Sequence, residues 1–284
     1  MDIDDLKFKI EYLSQSGINL TTEVKTVLQN SLKIIKKEHN FLVVQFWGII
    51  KGLKWDYYIA SGIRENFLEK IFLYSENKLN NFSKDALFWS LMPIPSETDL
   101  IITKEMKTNF IGDPFFVSDQ KEYFCEVNEN NEAIKQEKTF EIKEENRLAA
   151  AIKCIEKDCQ TVPKGSYLRM TNGQVIRNKY YEGLNYHDSF NLSSYLHFTV
   201  PFEYKKEIKT AFPSIDKTTQ FLRTLEDDLP RGVWNVYFNQ AENLINLRNL
   251  CWLGYSFYQV PQKASFGAIY CGNGIYNIDL PFML

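Results

Sequence analysis

The sequence of 284 residues predicts an α+β fold, in which an N-terminal helical hairpin packs on a mostly antiparallel β-sheet. Apolar residues recur at helical spacing in residues 1–40, which predicts helices there. Residues 41–284 instead hold short aromatic and β-branched segments separated by turn residues, a pattern typical of strands joined by hairpins. There is no internal repeat and no clean linker, so we expect a single domain over residues 1–284.

The first 40 residues predict two antiparallel helices. Residues 2–13 carry apolar side chains at helical spacing, and a second apolar stripe runs from Val24 to Ile35. Thr21 or Thr22 fits the N-cap of the second helix. Two roles stay open for this hairpin, because it could pack on the body of the protein or present itself to a partner.

The strand-like body begins at residue 41. Residues 41–50 and 55–60 predict a hairpin, since both are rich in aromatic and β-branched residues and Gly48 and Gly52 flank the connection. The next predicted elements, in chain order, are strands at residues 68–74 and 87–92, a loop at 77–81 and a short helix at 96–109.

Residues 119–146 are locally acidic, with nine Asp or Glu against four Lys and few large apolar side chains. Such a segment buries little apolar surface, so we expect it to be mobile or solvated. The stretch leads into a predicted helix at residues 144–158, where Leu148, Ile152 and Ile155 line one face.

The second half of the chain reads mostly as strands. Asn172-Gly173 predicts a hairpin between residues 166–170 and 174–181, because this dipeptide tolerates positive φ. The other predicted elements are a short helix or bend at 192–198, a helix at 216–225, and an antiparallel meander with strands at 233–239, 244–250, 255–260 and 266–270.

Charge and composition exclude several classes of protein. The chain has 33 basic and 36 acidic residues and a net charge of −3, so no overall field attracts nucleic acid or an anionic membrane. The longest apolar run, residues 41–50, is too short to span a bilayer, which needs about 20 residues. The acidic start shows no secretory signal, so we expect a cytosolic setting in which the five cysteines stay reduced.

No recognised catalytic or cofactor motif is present. The sequence lacks a Walker loop, a Rossmann fingerprint and a GxSxG elbow, and its histidines and cysteines are scattered without metal-ligand spacing. Three short motifs have structural readings instead. The Gly-Asn-Gly motif at 272–274 predicts a tight turn, and the His-Asp-Ser motif at 187–189 predicts a polar loop or helix N-cap. The acidic run at 226–228 predicts a charged helix end. We therefore predict no catalytic residue, no metal and no cofactor. An interaction protein, an enzyme and a ligand-binding module all stay open.

Ten short motifs, in order along the chain, resemble the radial spoke head protein 9 family of motile cilia and flagella. Each motif alone is weak, but their ordered combination covers nearly the whole chain. They lie at residues 46–52, 56–62, 89–91, 110–114, 143–148, 163–165, 192–198, 225–234, 250–255 and 279–284.

The resemblance implies a non-catalytic structural subunit of the axonemal radial spoke head. Such a subunit is synthesised in the cytoplasm and supports spoke head assembly and the spoke–central pair signalling that regulates dynein. The implied partners are radial spoke head proteins 4 and 6, other spoke head subunits and, transiently or indirectly, central pair projections, with no nucleic acid and no membrane. The alternative is a soluble ligand-binding or enzymatic α+β domain with an unrecognised site.

The excess of aromatic residues, 42 of 284, has a use in such a scaffold, because aromatic side chains bury much area at protein interfaces. Tyr57 and Tyr58 alternate along a strand and point to opposite faces, so either both pack in the core or one faces a partner. At the chain end, Phe282 and Leu284 dock within the subunit or onto a neighbour. The candidate interface residues are Trp47, Trp55, Tyr57, Tyr58, Phe282 and Leu284.

Overall fold

The computed structural model describes residues 1–76, 88–127, 133–198 and 222–283. Its helices are α1 (Leu6–Lys9), α2 (Thr22–Glu38), α3 (Glu97–Glu105) and α4 (Glu144–Cys159). Its strands in the first half are β1 (Val43–Ile50), β2 (Tyr57–Ile63), β3 (Lys70–Glu76), β4 (Ser90–Leu91), β5 (Val117–Val127) and β6 (Ala133–Lys143). Those in the second half are β7 (Thr161–Pro163), β8 (Tyr167–Arg169), β9 (Val175–Arg177), β10 (Tyr195–Phe198), β11 (Leu222–Thr224), β12 (Trp234–Asn239), β13 (Leu244–Asn249), β14 (Tyr255–Gln259) and β15 (Phe266–Gly272).

The predicted helices form where the sequence places their caps. The Thr21 side chain accepts a hydrogen bond from the Val24 backbone amide, so Thr21 is the N-cap of α2. Ser96 begins α3 with a capping box, in which its Oγ accepts from the Asp99 amide while the Asp99 carboxylate accepts from the Ser96 amide. The first helix is shorter than expected, because α1 tightens into a 3₁₀ turn at Ile10–Ser16.

Eight strands of the described residues form the main sheet, in the order β12-β13-β14-β15-β1-β2-β3-β4. Among these eight described strands, β1 and β15 pair in parallel, and every other neighbouring pair is antiparallel, so the strands on each side form an antiparallel meander. The parallel pairing, from Gly48 opposite Tyr270 to Ile50 opposite Gly272, joins the first and last strands of the chain into one sheet. The predicted α+β class with a mostly antiparallel sheet is therefore confirmed.

The sheet is covered on both faces by helices. On one face, α4 buries Leu148, Ile152 and Ile155 against the sheet, as their spacing predicted. On the other face, the N-terminal helices bury residues such as Leu6 and Leu28 in a second core. The helical hairpin thus packs on the body, and the two cores lie on either side of the sheet.

The structure corrects two of the predicted elements. The segment 192–198, predicted as a helix or bend, is a 3₁₀ turn at Leu192–Ser194 followed by the strand β10. The helix predicted at 216–225 is wrong for Leu222–Thr224, which forms β11. Residues 216–221 lie outside the described residues. Both strands belong to a sheet in the order β11-β10-β7, so pairing with distant residues overrides local helix propensity.

The remaining predictions concern the acidic segment 119–146, the loop at 77–81 and the hairpin at Asn172-Gly173. The acidic segment 119–146 includes most of β5, all of β6 and the start of α4. The strands β5 and β6 pair antiparallel from Val117 opposite Lys143 to Val127 opposite Ala133. The mobility of the segment stays a prediction. The loop predicted at 77–81 lies outside the described residues. The hairpin predicted at Asn172-Gly173 is confirmed, because β8 pairs antiparallel with β9 around it.

Candidate protein interface

Three of the six candidate interface residues lie in the protein interior. Trp47, Tyr57 and Tyr58 are at most 9% exposed. The two tyrosines do point to opposite faces of β2, but Tyr57 lies in the core beneath α4 and Tyr58 in the core beneath the N-terminal helices. Burial raises the pKa of Tyr58 to about 12. The alternative in which one of these tyrosines faces a partner is therefore wrong, because helices cover both faces of the sheet and both side chains are buried.

The remaining candidates lie nearer the surface. Trp55 is half-buried in the connection before β2. At the end of the chain, Leu280 is buried in the main core, whereas Phe282 is 89% exposed and Met283 is 72% exposed. Leu284 lies outside the described residues. Leu280 therefore docks the tail onto the body, whereas the Phe282 side chain stays at the surface.

Helix α4 is attached to the sheet by hydrogen bonds between its acidic residues and buried aromatic side chains. In each bond the aromatic body stays in the core while its polar tip donates to a carboxylate, an arrangement that suits Tyr and Trp. These contacts join Tyr57 to Glu144 at 2.7 Å, Tyr74 to Glu145 at 2.8 Å, Trp47 to Glu156 at 2.8 Å and Trp252 to Asp158 at 3.0 Å. They position α4 relative to three strands of the main sheet, β1, β2 and β3, and to the connection between β13 and β14.

Glu144 is the centre of the most connected of these sites. Its carboxylate accepts hydrogen bonds from the backbone amides of Ile111, Gly112 and Asp113 at 2.7–3.1 Å, besides the one from Tyr57. Burial, with the hydrogen bond and charge of Glu144, raises the pKa of Tyr57 well above its usual value, so its hydroxyl remains a donor. One buried carboxylate thus holds the loop 110–114, β2 and α4 together.

Arg147 lies on the other side of the same loop. Its guanidinium stacks on Phe110 at 4.2 Å from the ring centre and donates to the backbone and side-chain oxygens of Thr108. Burial lowers the pKa of Arg147 to about 10, against the opposing effect of Glu144. Three motifs that carry the family resemblance, at residues 56–62, 110–114 and 143–148, therefore meet in this one structural site.

A second carboxylate, that of the half-buried Asp228, organises the segment 225–234. Asp228 accepts hydrogen bonds from His197 at 2.7 Å and Trp234 at 2.8 Å, and Arg223 lies 3.4 Å away. Burial alone would raise the pKa of Asp228, but these bonds and charges lower it below its usual value. The other ring nitrogen of His197 faces the carbonyl oxygen of Gln160 at 3.0 Å. The acidic run 226–228 therefore contains a structural anchor as well as a charged 3₁₀ turn.

The exposed apolar side chains are the better candidates for partner contacts. Phe88 is 84% exposed, Leu91 55%, Ile94 92% and Ile101 62%, and all four lie on or beside β4 and α3. We call these four residues the β4 patch. Four exposed apolar side chains within one stretch of the chain are a candidate for a protein interaction site. Sequence reasoning missed it, although an isoleucine between Pro93 and Pro95, where no central strand can continue, was a usable signal.

A second surface group lies at the opposite edge of the main sheet. Tyr186, Phe190 and Phe238 form an aromatic trio with ring centres 5.2–5.6 Å apart, and all three rings are partly exposed. Tyr237, the neighbour of Phe238 on the edge strand β12, is 51% exposed. Two ends of one sheet thus present apolar side chains to solvent.

Four cysteines of the described residues share one chemical state. Cys154, Cys159, Cys251 and Cys271 are unbridged thiols whose pKa is raised by burial, which keeps them as poorly reactive thiols. Across the described ranges, no three His, Cys, Asp or Glu side chains come together as metal ligands would. In the same ranges, no helix has the length and apolarity needed to cross a bilayer.

Comparison with known proteins gives a consistent relationship. A family model described as "Radial spokehead-like protein" matches residues 1–191. Proteins named "Radial spoke head protein 9 homolog" are 36% identical in Bos taurus, 35% in Homo sapiens and 34% in Danio rerio, with 100% of both chains covered in each comparison. The resemblance predicted from ten ordered motifs is confirmed, and the chain belongs to the radial spokehead-like family.

Proposed function

We propose that this chain is a non-catalytic structural subunit of the radial spoke head in the axoneme of cilia and flagella. The observation that carries the proposal is the end-to-end similarity to radial spoke head protein 9 homologs, at 34–36% identity. In that role the subunit supports spoke head assembly and the signalling between spoke and central pair that regulates dynein-driven motility.

The architecture supports a scaffold role. Helices cover both faces of the main sheet, and buried carboxylates such as Glu144 tie its aromatic core to α4 and the adjoining loop. A rigid body of this kind keeps exposed groups at constant separation. The β4 patch and the exposed Phe282 are surfaces from which such a body contacts its neighbours.

The proposed partners are radial spoke head proteins 4 and 6 and other spoke head subunits, with a transient or indirect contact to central pair projections. The test is co-expression of this chain with spoke head protein 4 or 6 of the same organism, followed by size-exclusion chromatography. We expect one co-migrating complex. Separate elution of the subunits would contradict the proposal, and a folded axonemal protein that is not part of the spoke is the negative control.

The β4 patch offers a variant that separates binding from folding. Ile94→Ser changes a side chain that is 92% exposed, so we expect an unchanged melting temperature and a smaller co-migrating fraction. Leu229→Ser, at a side chain that is 79% exposed in a different part of the chain, is the matched control. Equal co-migration of both variants would remove the β4 patch from the interface.

A further inference from the structure

A groove runs between the open end of the β1–β2 hairpin and the hairpin β8–β9, with a volume of about 670 Å³. We propose that this groove binds an extended, apolar segment of a neighbouring spoke head subunit that carries carboxylate side chains. The inference rests on the proposed assembly role, and it adds a binding site and the chemistry of its occupant.

The two walls of the groove are held at a constant distance by hydrogen bonds. Phe67 donates its amide to the carbonyl oxygen of Val175 at 3.1 Å, and the Asn66 side chain accepts from the Val175 amide at 3.2 Å. The ring of Phe67 packs on Tyr167 with 4.3 Å between ring centres. The groove is therefore a preformed feature, which lowers the entropic cost of binding a segment.

Apolar side chains line the groove and remain open to solvent. Leu42 is 63% exposed, Val43 38% and Ile176 37%, and these three residues come from both walls. The aromatic rings of Phe67 and Tyr167 lie in the same lining. A concave surface of this composition gains free energy when apolar side chains cover it.

The charges around the groove specify the occupant further. Its lining contains three cations, Arg64, Arg177 and Lys179, and two carboxylates, Asp2 and Glu65. Arg177 is paired with Asp2 at 3.0 Å. Neither Arg64 nor Lys179 forms an ion pair with any residue that the structure describes.

The local net charge of the groove is therefore +1, although the whole chain carries −3. Opposite charge on a partner is attracted to such a site. The Arg64 guanidinium lies 6.0 Å from the centre of the Phe41 ring. Without an ion-pair partner among the described residues, Arg64 and Lys179 beside the apolar lining suit a peptide with one or two carboxylates. They are too few for nucleic acid, which needs a row of cations along its backbone.

An extended peptide satisfies both requirements at once. Successive side chains of a strand point to opposite sides, so alternate apolar residues enter the groove while intervening carboxylates reach the rim. Arg64 and Lys179 lie on different walls, the first after β2 and the second after β9. An occupant between them contacts both cations.

The first experiment identifies what covers the groove in assembled spoke heads. A photo-crosslinking phenylalanine replaces Leu42 in one variant and Ile176 in another, and mass spectrometry maps the crosslinked peptides. The same replacement at Leu253, which lies near Gly272 at the far end of β1, is the control. We expect both groove positions to reach one apolar segment of a neighbouring subunit that contains Asp or Glu. Crosslinks to no neighbour, or to a basic segment, would overturn the proposal.

The second experiment tests the charges. One double variant, Arg64→Glu combined with Lys179→Glu, reverses the charge of two exposed groove residues. The matched control is a second double variant, Lys33→Glu combined with Lys37→Glu, which reverses two exposed charges on α2. We expect at least about a tenfold loss of affinity for the neighbouring subunit and a weaker dependence on salt, with an unchanged melting temperature. Wild-type affinity in the Arg64 and Lys179 double variant would contradict the proposal. Leu42→Ser tests the contribution of the apolar lining in the same assay.

A defined peptide separates this proposal from the proposed function. The probe is a fluorescein-labelled Ile-Glu-Val-Asp-Val-Glu-Ile peptide, compared with the version in which lysine replaces each acidic residue. We expect the acidic peptide to bind at least about tenfold more tightly, measured by fluorescence anisotropy. Failure of this chain to co-migrate with spoke head proteins would contradict the proposed function. Equal binding of both peptides, or binding of neither, would contradict the proposal for the groove, whatever the result of the co-migration experiment.

Discussion

The indole nitrogen of Trp47 on β1 donates a hydrogen bond of 2.8 Å to the Glu156 carboxylate on α4. The second oxygen of that carboxylate accepts from the ammonium group of Lys70 on β3. One side chain of the helix therefore binds two strands of the main sheet, and the aromatic body of Trp47 stays in the core. Such paired contacts fix the position of α4 more closely than apolar packing alone.

Trp47→Phe tests this contact. The change removes the donor and leaves a small cavity, so we expect the free energy of unfolding to fall by about 2–3 kcal/mol. Urea denaturation measures it. Trp55→Phe is the matched control, because Trp55 is only half-buried, and we expect a smaller loss there. Equal losses for the two variants would show that the Glu156 contact contributes nothing.

Glu144→Gln tests the carboxylate that holds the loop 110–114. Glutamine keeps the size of the side chain but loses the charge that strengthens the bonds from Ile111, Gly112 and Asp113, and it leaves nearby Arg147 without a compensating charge.

We expect Glu144→Gln to cost about 3–5 kcal/mol of unfolding free energy, since a charge partner is lost in a buried site. Glu145→Gln is the control, because within the described part of the chain its carboxylate bonds to two side chains, Tyr74 and Lys143, and to no backbone amide. We expect that variant to lose about 1 kcal/mol. A cost for Glu144→Gln no larger than that of the control would contradict the role assigned to Glu144.

The lowered pKa of Asp228 predicts a specific dependence of stability on pH. A carboxyl whose folded pKa is depressed stabilises the protein above its unfolded pKa, near 3.8, and this stabilisation is lost as pH falls through the folded pKa. Asp228→Asn should therefore cost about 2 kcal/mol at pH 7 and less below about pH 4. Urea titrations of both proteins across that range measure the difference, and a difference that stays constant with pH would contradict this account.

Gly112→Ala tests the close approach of the loop to the strand connection. Gly112 has a φ of +95°, and a Cβ there would lie 2.2 Å from the carbonyl oxygen of Trp55. Gly173 has a similar φ of +88°, but no atom lies within 4 Å of its added Cβ. We expect Gly173→Ala to cost about 1 kcal/mol from backbone strain and Gly112→Ala to cost clearly more, by thermal denaturation. Equal costs would mean that backbone strain alone makes glycine necessary at Gly112.

The C-terminal tail allows stability and assembly to be separated. Leu280 is 3% exposed, so Leu280→Ala should lower the free energy of unfolding by about 2–4 kcal/mol. Phe282→Ser should leave stability unchanged, because Phe282 is 89% exposed, and should weaken co-migration with spoke head subunits. Melting curves and size-exclusion chromatography measure the two effects. Full co-migration of Phe282→Ser would place Phe282 outside the interface.

Local sequence patterns were enough for much of the fold. The caps at Thr21 and Ser96, the turn at Asn172-Gly173 and the C-terminal meander were all predictable, because each depends on a few neighbouring residues. The strands β10 and β11 were not predictable in this way. They have three or four residues each, and their identity depends on pairing with each other and, for β10, with β7 about 35 residues earlier.

The parallel pairing of β1 with β15 was also beyond sequence reasoning, because more than 200 residues separate the two strands. The same limit applies to the candidate interface. The exposed β4 patch depends on which parts of the surface the rest of the chain leaves uncovered, and periodicity within a short segment carries no such information.

The sequence by itself determined the family, the α+β class and the opposite directions of Tyr57 and Tyr58 along β2. Only the tertiary structure decided that both tyrosines are buried, because α4 covers one face of the sheet and the N-terminal helices cover the other. Alternation along a strand sets the direction of a side chain, whereas its burial depends on elements far away in the chain. Much of the aromatic excess therefore belongs to the core, where polar tips bond to α4, and residues such as Phe88 and Phe282 stay exposed at the surface.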